Sequence, residues 1–185
     1  MAVSDSVLWP ESEIILYHVP GQSGSSLSVD LITELSSPPK ITGIKEASGD
    51  IKFLEDLQEN LRRAKRSLTL LSGDDATYHK FILAGGHGAI SVASHICPTA
   101  LLEIENAVLQ SKYEAAQKID SEFSKIFSVL FLESNPGPLK WMLSKLDLCE
   151  NELRLPLVPI QASTEEKLTE TLSSFRIETG EIRKW

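Results

Sequence analysis

The apolar positions of this chain fall into two regimes. Up to about Ala93, short apolar runs alternate with segments of helical period. Residues 14–17 are a four-residue apolar run closed by Val19-Pro20-Gly21, too short for a helix, and read as a buried strand. Residues 21–26, rich in Gly and Ser, read as a loop. Apolar positions 29, 31, 32 and 35 predict a helix that Ser28 caps and Ser36-Ser37-Pro38-Pro39 stops. A second strand covers 41–45. Asp50 then opens a helix carrying Ile51, Phe53, Leu54, Leu57 and Leu61 on one face and running to about Lys65. A strand over 68–71, a short helix over 76–83 ended by Gly85-Gly86, and a strand over 89–93 complete the series. Apolar strands alternating with amphipathic helices predict a parallel sheet covered on its faces.

From Pro98 the period is helical throughout. Helices are expected over 99–110 and 112–132, a break at Asn135-Pro136-Gly137-Pro138, and a helix over 139–146. Pro156 and Pro159 make 153–160 an extended connector before a final helix over 165–175. The last residues, ending Arg183-Lys184-Trp185, are expected to be loosely ordered. The organisation is a lead-in over 1–13, an α/β portion over 14–97 and a helical region over 98–185.

Charge and composition narrow the partners. Over 185 residues the net charge is −8, against the clustered positive charge that nucleic acid and anionic membranes need. The basic cluster Arg62-Arg63 with Lys65-Arg66 falls at a predicted helix end, where cations offset the helix dipole. No apolar run is long enough to span a membrane, and Met-Ala-Val-Ser-Asp-Ser at the start lacks the pattern of a signal peptide. Two cysteines, Cys97 and Cys149, give no disulfide framework and are expected of a reducing, cytoplasmic setting. The four histidines show no paired ligand spacing, so no metal is assigned.

In parallel α/β proteins chemistry collects at the C-terminal ends of the strands. Those ends carry Tyr17 to Pro20, Lys45 with Glu46, Ser72 to Asp75, and Ile90 with Ser91. Lys45 has two readings. Burial in a strand end leaves more neutral amine, a nucleophile for carbonyls, which makes it a Schiff-base lysine. Alternatively it reaches solvent or pairs with Glu46. Tyr17 is either a proton shuttle at the next strand end or a core tyrosine with a satisfied hydroxyl. Asp74 and Asp75 are a metal pair, a general acid/base pair or, better, a helix cap, with Asp75 at the N-cap. Gly85-Gly86-His87-Gly88 precedes a strand and reads as a helix stop with a tight turn, not a phosphate loop.

Taken together, the segments are more specific. Tyr17-His18-Val19-Pro20-x-x-Ser23-Gly24 followed by Gly43-Ile44-Lys45-Glu46-Ala47-Ser48-Gly49 resembles a signature of the dihydrodipicolinate synthase and N-acetylneuraminate lyase family, with the Tyr-to-Lys interval that its pattern requires. Leu71-Ser72-Gly73-Asp74-Asp75, the run from Gly85 to Val92, Asn135-Pro136-x-Pro138-x-Lys140-Trp141 and Leu153-Arg154-Leu155-Pro156-Leu157 resemble its synthase branch. The resemblance covers about residues 14–161. It implies a (β/α)8 TIM barrel of class I aldolases followed by C-terminal helices. Lys45 then matches the lysine that forms a Schiff base with pyruvate, and Tyr17 the tyrosine that relays protons. Ile90 matches a last-strand position that contacts pyruvate, with Gly73 a further substrate-binding position. The implied reaction condenses the pyruvate enamine with aspartate semialdehyde to hydroxy-tetrahydrodipicolinate, on the route to lysine. It needs no metal or organic cofactor, because the iminium is the electron sink.

Two departures qualify this expectation. Gln22 stands where the synthases usually carry an arginine that grips the carboxylate of the aldehyde, and a neutral amide does not replace a bidentate guanidinium. Moreover, a barrel of this type needs about 250 residues. The four strands here match strands five to eight, and no Gly-Thr-Thr-Gly loop, expected from the first half, occurs in the chain. Four barrel strands leave two unpaired edges, so the chain is expected to pair with a second copy or with an absent N-terminal half. The alternatives are another pyruvate-dependent lyase of the same family and a non-catalytic, truncated remnant.

Overall fold

The computed structural model describes residues 12–175. The expectations for most of the lead-in and for the last ten residues lie outside them. The described residues form two compact units that divide between Ile90 and Ser91.

The first unit is a four-stranded parallel sheet in sequential order. Its strands are β1 (Ile14–His18), β2 (Ile41–Glu46), β3 (Thr69–Ser72) and β4 (Gly88–Ala89). Between them lie α1 (Pro20–Ser23) and α2 (Val29–Leu35), then α3 (Ile51–Arg63), then α4 (Tyr78–Leu83), which a 3-10 turn over Asp75–Thr77 precedes. The caps follow their chemistry. Ser28 Oγ accepts from the Leu31 amide at 3.2 Å and opens α2. Asp50 Oδ1 accepts from the amides of Lys52 and Phe53 and opens α3. At its other end, Arg62 and Arg63 both bind Glu59, and Arg66 reaches Ser37.

Four details depart from the sequence reading. The Gly/Ser loop contains the single turn α1, closed by Gly24 at φ +64°, a left-handed position that glycine takes without strain. The last strand has two residues where five were expected. Beyond it only the Ile90 amide continues the ladder, to the Ser72 carbonyl at 2.8 Å, before Ser91 Oγ accepts from the Ser94 amide and turns the chain. The cap before α4 is Asp74, not Asp75. The Asp74 carboxylate accepts from the Thr77 amide at 3.0 Å and from the Thr77 hydroxyl at 2.6 Å, a pair of bonds that favours the first aspartate. Asp75 is buried as the first residue of the turn.

The fourth departure matters most: among the described residues of this unit, the sheet is covered on one face only. Ile44, Leu70, His18, Glu46 and Ser72 are buried on the face where Phe53 of α3 stacks on His18, the rings 4.7 Å apart. Ile32, Leu54, Leu57 and Phe81 complete this core. Each such side chain removed from water contributes about 1.5–3 kcal/mol. On the other face Ile15 is 47% and Tyr17 48% exposed, and Thr69 is exposed as well. Strand alternation separates the two sets, because neighbouring residues point to opposite faces.

The second unit, from Ser91, is helical. It holds a 3-10 turn over Ala93–His95 and the helices α5 (Pro98–Leu109), α6 (Tyr113–Val129), α7 (Gly137–Lys145) and α8 (Ala162–Ser174). α5 packs on α6, and α8 on both α6 and α7. Ile104, Ala116, Ile126, Phe127, Leu130, Met142 and Leu168 form its core. No described helix is long and apolar enough to cross a membrane.

Candidate active site

The sheet register brings the two principal candidates together. Tyr17 pairs with Lys45 across β1 and β2, as His18 pairs with Glu46 one residue further on. Cross-strand partners share a face, so the Tyr17 ring and the Lys45 amine meet on the uncovered side at the C-terminal strand ends. Lys45 Nζ lies over the ring, 4.4 Å from its centroid. Contacts of this kind contribute about 0.5–1 kcal/mol at exposed sites. Lys45 is half-buried, where the Schiff-base reading supposed a buried strand end. The open face leaves it partly exposed, with the Tyr17 ring and Gly73 beside the side chain.

Gly73 belongs to the same cluster. A Cβ built there would lie 2.6 Å from Ala47 Cβ, 2.7 Å from Lys45 Cε and 3.0 Å from Lys45 Cγ. Real Cβ atoms do not approach so closely, so glycine at 73 gives the lysine stem the space it occupies. The Gly73 amide donates to the Glu46 carbonyl at 2.6 Å, which fixes this backbone beside Lys45. Gly43 serves closeness of another kind, since a Cβ there would sit 2.9 Å from the Thr69 carbonyl. Ile90 follows β4 and is 45% exposed. Alternation from Gly88, the partner of Leu71, puts it on the face of Lys45 and Tyr17. Gln22 lies on α1, immediately after β1, and is exposed.

Sequence reasoning offered Glu46 only as an alternative partner for Lys45 and gave His18 no role; the structure pairs the two with each other. His18 and Glu46 are each 2% exposed, and His18 Nδ1 is 3.1 Å from Glu46 Oε1. His18 Nε2 is 3.0 Å from Ser26 Oγ, and the Ser48 amide donates to Glu46 Oε1 at 2.8 Å. The signal was present: two polar residues at matching places in two apolar strands demand each other's company once buried. His87, read as part of a turn, takes a similar structural role. Its Nδ1 accepts from the Leu70 amide at 2.9 Å while its own amide donates to the Leu70 carbonyl.

An α/β sheet presenting a lysine and a tyrosine together at its strand ends defines the class of the site. The family follows from comparison. A model described as the dihydrodipicolinate synthetase family matches residues 6–175, and the chain belongs to that family. It is 39% identical over 163 residues to the 4-hydroxy-tetrahydrodipicolinate synthase of Idiomarina loihiensis, covering 88% of this chain and 54% of that protein. With the synthase of Alcanivorax borkumensis it shares 37% identity over 172 residues, 93% of this chain and 56% of the relative. Among solved structures, the chloride-inhibited dihydrodipicolinate synthase from Acinetobacter baumannii complexed with pyruvate superposes with a TM-score of 0.84 at 35% identity, over 90% of this chain and 56% of that one. The enzyme from Aquifex aeolicus gives 0.84 at 32% identity, over 90% and 56%. The chain thus spans about half the length of the curated relatives it matches.

Proposed function

We propose that this chain carries the Schiff-base half of a pyruvate-dependent aldolase of the synthase type. The Lys45 nitrogen attacks the keto carbon of pyruvate and water leaves, forming an iminium. Loss of a methyl proton gives the enamine, whose terminal carbon forms the new carbon–carbon bond with an aldehyde. Tyr17 relays the protons that these steps move, and Gly73 and Ile90 shape the pyruvate position. The observation that carries this reading is the contact between Lys45 and Tyr17, with Nζ 4.4 Å from the ring centroid at the C-terminal strand ends. The Acinetobacter relative, whose structure contains pyruvate, supports the choice of keto acid.

The four strands correspond, in this reading, to strands five to eight of a barrel. The exposed face of Ile15 and Tyr17 and the outer edges of β1 and β4 are then closed by further parallel strands, from another polypeptide or a second copy. Aspartate semialdehyde is the aldehyde of the family's synthase branch. Gln22 favours a second reading, a family lyase whose aldehyde lacks the carboxylate that an arginine would grip.

Borohydride reduction in the presence of pyruvate tests the proposal. A covalent adduct supports the aldolase reading, and its absence supports a non-catalytic remnant. A panel of aldehydes with and without a carboxylate then separates the two lyase readings.

A further inference from the structure

Behind the Lys45–Tyr17 pair runs a hydrogen-bonded chain of three side chains. Ser26 Oγ meets His18 Nε2 at 3.0 Å, and His18 Nδ1 meets Glu46 Oε1 at 3.1 Å. The same Glu46 oxygen accepts the Ser48 amide at 2.8 Å. An ionised carboxylate only accepts, so with Glu46 ionised His18 donates through Nδ1–H, and a neutral imidazole then accepts the Ser26 hydroxyl at Nε2. The order serine, histidine, glutamate is also that of a hydrolytic triad. Here, however, the imidazole is 2% exposed and stacked 4.7 Å from the Phe53 ring, where it cannot hand a proton to a leaving group. This chain holds; it does not react.

What it holds follows from the register. His18 is next to Tyr17 and Glu46 next to Lys45, and the two pairs are aligned in β1 and β2. In an extended strand, fixing one side chain on the covered face fixes the pitch of its neighbour on the open face. On the open face Tyr17 is 48% exposed, with the Lys45 amine over its ring. We infer that Ser26, His18 and Glu46 are positioning residues that keep the Tyr17 ring and the Lys45 amine in register, and that tie the loop after α1 to the strand ends. The inference rests on the aldolase reading for its catalytic meaning, and its geometric content stands apart from it.

The full chain and three variants test it. Glu46→Leu keeps the volume but removes the acceptor for both His18 and Ser48. Glu46→Gln retains an oxygen where Oε1 accepts both bonds. Ser26→Ala severs only the exposed end. Two quantities are read: the rate at which borohydride traps pyruvate on Lys45, and the ring-current shift that Tyr17 imposes on the Lys45 Hε protons. Glu46→Leu is expected to lose the ring-current shift and to slow trapping by about tenfold or more, as misplacement of a reacting group does. Glu46→Gln is expected to keep the shift and stay within about threefold of the parent. Ser26→Ala should slow trapping by about threefold, on the scale of one lost hydrogen bond, without loss of fold. An unchanged ring-current shift in Glu46→Leu overturns the inference, as does equal loss in Glu46→Leu and Glu46→Gln. If Glu46→Leu does not fold, unchanged trapping in Ser26→Ala overturns it instead. A parent chain that traps no pyruvate refutes the aldolase reading, and the ring-current comparison then decides the positioning role by itself.

Discussion

Gly73 and Lys45 fit together as a gap and its filling. A Cβ at 73 would stand 2.7 Å from Lys45 Cε, so the path of the lysine along the sheet depends on the hydrogen at that position. The consequence is specific. Gly73→Ala should push the lysine stem off the Tyr17 ring and reduce trapping of pyruvate by about tenfold or more. Overpacking of this kind also costs about 1–3 kcal/mol. Mass spectrometry after reduction and urea unfolding measure the two effects, and an alanine variant that traps at the parental rate would show that the lysine does not need this space.

The one-sided burial of the sheet makes a contrast between two isoleucines. Ile44 is fully buried on the covered face, and Ile44→Ala should cost about 2–5 kcal/mol. Ile15 is 47% exposed on the other face, and Ile15→Ala in the isolated chain should change stability by no more than about 0.5 kcal/mol. Chemical denaturation of the two variants checks this. A large loss for Ile15→Ala would mean that the open face is covered in solution, by a second copy if the loss grows with protein concentration.

Asp74 is assigned to structure. Asp74→Ala removes the bonds to the Thr77 amide and hydroxyl and should cost about 0.5–2 kcal/mol, the usual value of a cap. It should leave pyruvate trapping unchanged at temperatures where the variant is folded. Loss of the adduct in a folded Asp74→Ala would move this aspartate into the chemistry.

A tight turn offers an independent check on packing. A Cβ at Gly86 would lie 2.2 Å from Phe81 Cδ1, and Phe81 is 1% exposed. Phe81 therefore cannot easily give way, and Gly86→Ala should destabilise the first unit by about 1–3 kcal/mol. Thermal unfolding reads this directly.

Much of this arrangement was legible in the sequence, and the exceptions have physical causes. The strand-helix alternation, the Ser28 and Asp50 caps and the helical second unit follow from local pattern and capping chemistry. Which face of the sheet is covered does not. Ile15 and Leu16, or Leu70 and Leu71, are apolar neighbours on opposite faces, and such runs look the same whether one face or both are packed. The cap at Asp74 was misassigned to Asp75 because adjacent aspartates are equivalent in pattern, and the choice is made by Thr77, which bonds Asp74 twice. The length of β4 escaped notice because Ile90 and Val92 continue its apolar run after its pairing with β3 has ended. The His18–Glu46 pair is a contact between residues 28 apart. It becomes visible only when the register that joins Tyr17 to Lys45 is known.

One amine carries the chemistry, and mapping its adduct shows whether it does. The chain is incubated with pyruvate, reduced with borohydride, digested and sequenced by mass spectrometry, beside Lys45→Ala. A reduced pyruvyl adduct is expected on the peptide containing Lys45, and none in Lys45→Ala. An adduct spread over surface lysines and undiminished in Lys45→Ala, or no adduct at all, would rule out Lys45 as the Schiff-base residue.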